Sequence, residues 1–205
     1  MLSAHAADGE RQKRGVGLRV MGYGPIGMEL PWPLTDDRVT LRPAGDGDAA
    51  AFLDYKRRPE CQAYVTRTVD TLDQSRALIA DRLAEPDSLL CAVSVDGQVV
   101  GDIGGRRYRP ESLGPEPDAY DFYLGYSVNP DYWHRGIASA ATALLVGALH
   151  QAGIRRVVAK TFAENGASIR VLLKNGFRLE GTERRTVLGR DGSWLDDCTL
   201  AHLLD

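Results

Sequence analysis

Apolar and polar positions along this chain fall into blocks that change period, and the changes of period divide it into elements. Residues 39–42, Val-Thr-Leu-Arg, have the two-residue alternation of a short strand. Asp46 or Asp48 can then cap a helix carrying Ala49, Phe52 and Leu53. Thr71-Leu-Asp-Gln74 has the form of a capping box, and Leu72, Leu78, Ile79 and Leu83 follow at helical spacing until Pro86. Residues 89–95 and 99–107 predict a hairpin turned at Asp96-Gly97. The strand-like run 120–128 stops at Asn129-Pro130. A helix follows with Ile137, Ala141, Leu144, Leu145 and Ala148 on one face and Gly153 as its stop. Residues 156–162 are apolar at nearly successive positions, as a buried central strand requires. Another helix begins at Asn165 or Ser168, presents Ile169, Leu172 and Leu173, and ends at Asn175-Gly176. Residues 177–187 and 194–203 flank the turn Gly189-Arg-Asp-Gly192 as an antiparallel hairpin. This order predicts an α/β (α+β) architecture, a mixed and mostly antiparallel central sheet with helices on both faces.

Residues 1–33 stand apart. They carry Gly15, Gly17, Gly22, Gly24 and Gly27, show little periodicity and end in Pro31-Trp-Pro33, so a flexible or irregular N-terminal arm is expected ahead of a domain at 34–205. Gly15-Val-Gly17 has no strand before it and no helix after it, which removes a nucleotide-loop reading.

Composition narrows the function. A chain of 205 residues suits one domain with its own core. The formal net charge of −3 supplies no basic field for nucleic acid. Cys61, Cys91 and Cys198 are far apart and odd in number, which suits neither a zinc site nor a disulfide framework, so no metal is expected. Reduced thiols, no apolar run of membrane-spanning length and no signal-peptide core point to a cytoplasmic protein without a membrane partner, a monomer or homodimer.

The stretch after Val128 holds the candidate chemistry. A strand stops at Asn129-Pro130, a basic loop with Gly136 follows, and an Ala-rich helix starts. Such a corner presents free backbone N–H groups and the positive end of a helix dipole, which suit a phosphate or pyrophosphate. Gly136 lets a ligand approach the backbone, and Arg135 adds a cation. An ordinary strand-loop-helix corner fits the same residues.

Tyr132-Trp-His-Arg-Gly-Ile-Ala-Ser-Ala-Ala141 resembles the coenzyme A pyrophosphate loop of the GNAT superfamily of N-acetyltransferases. Trp133 at the first loop position resembles the branch of ribosomal-protein N-terminal alanine acetyltransferases. Three further blocks resemble that branch, at residues 34–43, 165–177 and 180–196. The resemblance implies a GNAT fold and direct transfer of acetyl from acetyl-CoA to a primary amine, with a protein or peptide N-terminus as the leading acceptor. A small-molecule amine, such as an antibiotic or amino-acid derivative, and a non-catalytic acyl-CoA-binding module are the alternatives.

The resemblance also implies roles. Tyr126, Ser127 and Val128 would pair their backbone with the pantetheine arm, and His134, Arg135, Gly136, Ile137 and Ala138 would hold the pyrophosphate. Asn165 would contact the pantetheine amides, and Ser168 would protonate the departing thiolate. Both are also ordinary helix caps. Alternation places Asp121, Tyr123, Gly125 and Ser127 on one face of their strand, and Asp121, a lone carboxylate between aromatics, is the candidate base; many relatives carry an acid where this chain has Tyr123, a departure that counts against a strand-borne base. A solvated Asp121 is the plain alternative. Asp196 and Asp197 can attract an amine, yet acids beside turns are ordinary on surfaces. Residues 57–70 and 106–119 are the expected acceptor loops.

Overall fold

The computed structural model describes residues 29–115 and 117–204; the expected arm, over residues 1–28, lies outside the described residues. The strands are β1 (Leu34–Thr35), β2 (Thr40–Pro43), β3 (Ser88–Val95), β4 (Gln98–Tyr108), β5 (Tyr120–Val128), β6 (Ile154–Phe162), β7 (Arg178–Leu188) and β8 (Trp194–Leu203). The helices are α1 (Ala49–Lys56), α2 (Pro59–Gln62), α3 (Leu72–Ala84), α4 (Ile137–Gln151) and α5 (Gly166–Lys174). One sheet runs β1-β2-β3-β4-β5-β6-β8-β7. Among the described residues its neighbours are antiparallel except β5 and β6.

Side-chain alternation assigns the helices to the two faces. Leu89, Cys91 and Val93 of β3 join Ile103, Phe122, Leu124, Val157 and Ala159 in a core with Leu145 and Leu149 of α4 and Leu172 of α5. Leu90 and Ala92, on the opposite face of β3, meet Phe52 and Tyr55 of α1 and Ile79 of α3. Phe52 and Tyr55 are fully buried and stand edge to face, 6.0 Å apart. Burying a ring of that size contributes about 1.5–3 kcal/mol. This is the predicted mixed sheet with helices on both faces.

The local signals explain most boundaries. Thr71 Oγ1 accepts from Gln74 N at 3.3 Å while Gln74 Oε1 accepts from Thr71 N at 3.1 Å, closing the capping box that starts α3. Gly153, at φ +88°, follows α4. Four expectations change. Asp48 does not cap α1 with its side chain; its carboxylate accepts from Gly45 N and holds Arg42 in a two-pronged pair at 2.6 and 2.8 Å. Burial pushes the Asp48 carboxyl up, but Arg42 and the Gly45 N–H outweigh it and hold its pKa below the ordinary value. The short β1 and α2 had no periodic signal, since two and four residues are too few to show one. β6 begins at Ile154 instead of 156. Finally, Leu30 is buried in the core and Trp32 packs against it, so these two residues, expected in the arm, pack on the domain.

Two features of the sheet prepare the site. An added Cβ at Gly104 would stand 2.1 Å from Leu89 O, and one at Gly105 would stand 1.6 Å from Tyr123 O. β4 therefore runs this close to both neighbours only because these positions lack side chains. The second feature is a split: β5 and β6 pair from Tyr120 to Tyr123 against Ile154 to Val158 and no further. Beyond Tyr123, β5 stays on β4 through Val128 and β6 stays on β8 through Phe162.

Candidate active site

The split is the centre of the site. Tyr123 O and Ser127 O turn toward β4, where they crowd Gly105 and Gly101. Backbone groups alternate direction along a strand, so those of Leu124, Tyr126 and Val128 face the gap. Val128 O is engaged there by the Trp133 indole, whose Nε1 donates at 2.7 Å. Of the three residues expected to pair their backbone with a pantetheine arm, Tyr126 and Val128 face the gap. Ser127 does not; it presents only its side chain, to the cleft described below. Trp133, the first loop position, is a tie between the loop and β5.

The loop continues into a helix start prepared for an anion. His134 has φ +60° and Gly136 φ +77°, and the backbone enters α4 at Ile137, which is buried in the core. The first turn of α4 contains no acidic residue and the cap makes no side-chain hydrogen bond. Its leading N–H groups are free of intrahelical acceptors, and the helix dipole adds positive potential. Arg135 lies over the Tyr132 ring, 5.0 Å from its centre. From the β1–β2 turn, Arg38 Nη1 stands 2.9 Å from where a Gly136 Cβ would be. Arg38 and the helix dipole thus meet at this helix start, with Arg135 adjacent in the chain and no carboxylate in the first turn. His134, Arg135, Gly136 and Ala138 border this station, which lies outside the lining of the large cleft.

That cleft, about 1010 Å³, lies along the gap. Tyr126, Asn165 and Ser168 line it from the α5 side. Asn165 is the α5 cap: its Oδ1 accepts from Ser168 N at 3.1 Å. The Ser168 hydroxyl is not used in capping; it meets the Tyr126 hydroxyl at 2.9 Å. Tyr126 Oη also donates toward Ser168 O at 3.3 Å, and with Tyr126 as donor the Ser168 proton is free to point elsewhere. Burial pushes the Tyr126 phenol up, against a smaller lowering by Ser168, so it holds its proton at neutral pH.

The opposite wall comes from β4, α3, β6, β8 and the 62–67 loop. Tyr64 packs on Phe162 at 6.0 Å, and Tyr123 stacks on Tyr108 at 4.6 Å. Asp102 lies beneath, bound to Tyr55 Oη and Lys56 Nζ, both at 2.6 Å. Arg190, at the tip of the β7–β8 hairpin, crosses to the 62–65 loop and donates to Gln62 O at 2.7 Å and Val65 O at 2.6 Å. The expected acceptor loop 57–70 does border the cleft through residues 64–67, whereas of 106–119 only Arg106 does.

Asp121 is placed elsewhere. It shares its strand face with Tyr123, but it lies under Tyr108 and outside the cleft lining. Its side chain is 4% exposed, and its two oxygens lie 2.9 and 3.0 Å from Arg155 Nη2, of which only Oδ2 is aligned to accept. A carboxylate clamped by arginine on a neighbouring strand serves the β5–β6 pairing, and the candidate base from sequence is not brought to the reaction gap. Asp197, read from sequence as an ordinary acid near a turn, does line the cleft. Strand alternation contains the missing signal: Cys198 and Leu200 face the core, which turns Asp197 to the other face.

Cys61 donates weakly toward Val128 O at 3.7 Å, and burial pushes its thiol up to about 11, so it is not a thiolate at neutral pH. Among the described residues no group of His, Cys, Asp and Glu is arranged to hold a metal, and no helix is long and apolar enough to cross a membrane.

Residues 38–178 match the family model of the acetyltransferase (GNAT) domain. The uncharacterized N-acetyltransferase YoaA of Bacillus subtilis is 28% identical over 159 residues, covering 74% of this chain and 86% of its own. The L-amino acid N-acetyltransferase AaaT of Escherichia coli is 26% identical over 168 residues, covering 80% of this chain and 98% of its own. Among solved structures, Mycobacterium smegmatis RimJ in complex with CoA-disulfide is similar at a TM-score of 0.69 and 25% identity, over 80% of this chain and 81% of that one.

Proposed function

The chain belongs to the GNAT acetyltransferase family and is an acetyl-CoA-dependent N-acetyltransferase; from that premise we propose that its acceptor is the N-terminal amine of a protein or peptide. The observation that carries this reading is the cleft. At about 1010 Å³ it stands at the upper end of the roughly 300–1,000 Å³ of small-molecule pockets, and it lies open along the gap between exposed aromatic side chains, which suits the first residues of a chain entering beside the cofactor. The similarity to RimJ supports the same reading.

In this reading acetyl-CoA lies through the gap between β5 and β6. Its pantetheine amides pair with the backbone of Tyr126 and Val128 and meet Asn165. Its pyrophosphate takes the free N–H groups from Gly136 to Ala138, with Arg135 and His134 alongside. The amine attacks the thioester carbon, the C–S bond breaks as the tetrahedral intermediate collapses, and the thiolate takes the Ser168 proton, which Tyr126 replaces. A cytoplasmic setting belongs to the same reading, and free Cys61, Cys91 and Cys198 are compatible with its reducing environment.

One observation favours a small amine instead. Arg190 ties the β7–β8 hairpin tip to Gln62 and to Val65, which lines the cleft, and AaaT, by name an L-amino acid acetyltransferase, is similar over 80% of the chain. The test is incubation with labelled acetyl-CoA and a panel of free N-terminal peptides, the same peptides with blocked N-termini, amino acids and small amines, with products identified by mass. Acetylation of free but not blocked peptides supports the proposal. Turnover confined to amino acids or small amines replaces it, and acetyl-CoA binding without transfer to any acceptor supports a binding module.

A further inference from the structure

We infer that Asp197 is the carboxylate that receives the acceptor amine and takes its proton, an inference that rests on the acetyl-transfer reading above. Its place comes from strand geometry. Asp197 of β8 pairs in register with Phe162, the last residue of β6, where β6 has already parted from β5. Cys198 and Leu200 point into the core under α4 and α5, so Asp197 points to the α1–α3 face. There it lines the cleft with Lys160, Phe162, Tyr123 and Ser127.

Its chemistry is that of an acid without a close cation. The side chain is 15% exposed, and its nearest cation, Lys160 Nζ, is 3.9 Å away. Lys160 is committed to Glu183, at 2.8 Å. The adjacent Asp196 is spent on the Arg185 N–H at 2.8 Å. The other acids at the cleft are placed differently: Asp102 is held by Tyr55 and Lys56, Asp81 pairs with Arg67 at 3.1 Å, and Glu85 is exposed beyond the end of α3. Burial pushes the Asp197 carboxyl above its ordinary value; Lys160 of β6 and the Cys198 backbone N–H pull it down and Glu183 of β7 pushes it up, with a net rise. A desolvated carboxylate with a weak partner is suited to attract an ammonium and accept a proton from it.

The two faces of the split then divide the reaction. On the α1–α3 face the amine gives one proton to Asp197 as its nitrogen bonds to the acetyl carbon. On the α5 face the sulfur leaves and takes a proton from the Ser168–Tyr126 pair. Asp197 returns its proton to solvent and the hydroxyl pair regains one, so acetyl-CoA and a neutral amine become the amide and free thiol.

The test compares wild type with Asp197→Asn, using an alanine-initiated hexapeptide and butylamine in parallel. The expected result is a loss of about 100-fold in kcat/KM on each probe that wild type turns over, the scale of general-base catalysis. The acidic limb of the kcat profile disappears, and acetyl-CoA affinity stays within about twofold. Stability separates catalysis from structure. A carboxyl whose pKa is raised on folding contributes stability below its unfolded pKa, near 3.9, and loses it as pH rises through the folded value, so ionised Asp197 opposes folding at neutral pH. Asp197→Asn is therefore expected to melt no lower than wild type at pH 7. Turnover within about threefold of wild type, or melting temperature and acetyl-CoA affinity falling in step with turnover, overturns the inference. Turnover of butylamine alone would sink the peptide proposal and leave Asp197 tested on butylamine. Carboxyl carbon NMR gives a readout free of any acceptor: Asp197 is expected to titrate above the ordinary aspartate value, and titration at or below it overturns the inference.

Discussion

On the α4–α5 side of the gap, the groups proposed to hold acetyl-CoA come from one stretch of chain, 124–138, with 165–168 supplied by the next helix. On the α1–α3 side, the groups that line the cleft come from Lys56, Tyr64, Asp102, Tyr123 and Asp197, with Arg190 tying the hairpin tip to residues 62 and 65, and sequence scatters them across most of the domain. The first side works through backbone: free N–H groups at a helix start, strand amides left unpaired by a split sheet, and one glycine with positive φ. The second works through side chains brought together by packing. A cofactor common to many enzymes can be met by a local motif, whereas an acceptor is met by whatever the fold happens to juxtapose.

The comparison is broken most severely at Gly136. Gly136→Asp places a carboxylate at the phosphate station and forces an L side chain to φ +77°. Acetyl-CoA affinity is expected to fall more than about 100-fold, or roughly 3 kcal/mol, in calorimetry. Far-UV circular dichroism should remain that of the folded domain, because Gly136 lies at the surface end of α4. Retained affinity would move the phosphate station elsewhere.

Ser168→Ala sharpens the comparison on the same side. Asn165 supplies the α5 cap, so the Ser168 hydroxyl is free of capping duty. The variant is expected to lose about 10- to 100-fold in kcat, with acetyl-CoA affinity and melting temperature close to wild type. A loss of about 1 kcal/mol in stability with unchanged kcat would return Ser168 to a structural role.

Arg190→Ala probes the far wall. It removes two hydrogen bonds from an exposed hairpin tip, so stability is expected to change by less than about 1 kcal/mol. The expected change is in acceptor KM, several-fold in either direction, with acetyl-CoA affinity unaffected. A parallel change in acetyl-CoA affinity would show that the two sides are not separable.

The smallest effect is expected from deleting residues 1–28, whose glycine-rich composition carries no amphipathic period. The truncated protein keeps Leu30 and Trp32, which pack on the core. Its melting temperature is expected within about 2 °C of full length, below the shift that 1 kcal/mol produces in a domain of this size. A fall beyond about 8 °C would make the arm part of the core.

The same division governs what sequence made legible. Local patterns announced the hairpin at Asp96-Gly97, the Thr71 capping box, the helix after Gly136 and the Asn165 start of α5, because turn chemistry and caps act over a few residues. Ser168 was legible as a candidate acid, but its partner Tyr126 was legible only as a strand residue, since their contact spans 42 positions. Asp121 looked like a base because alternation placed it with Tyr123; the arginine that claims it lies on the next strand, 34 positions away. Asp197 looked like a surface acid for the converse reason: it is flanked by Phe162 of β6 and Glu183 of β7, not by its neighbours in the chain. Arg190 had no local signal at all, because its acceptors are carbonyls 125 and 128 positions away.

The most direct measurement is the amide chemical-shift map of the protein titrated with acetyl-CoA. The expected map has its largest changes at Leu124, Tyr126, Val128, the residues from Gly136 to Ser139, and Asn165 and Ser168, with Lys56, Tyr64 and Arg190 little changed. Changes concentrated on the α1–α3 wall, or none along β5 and the start of α4, would contradict an acetyl-CoA site built on the split between β5 and β6.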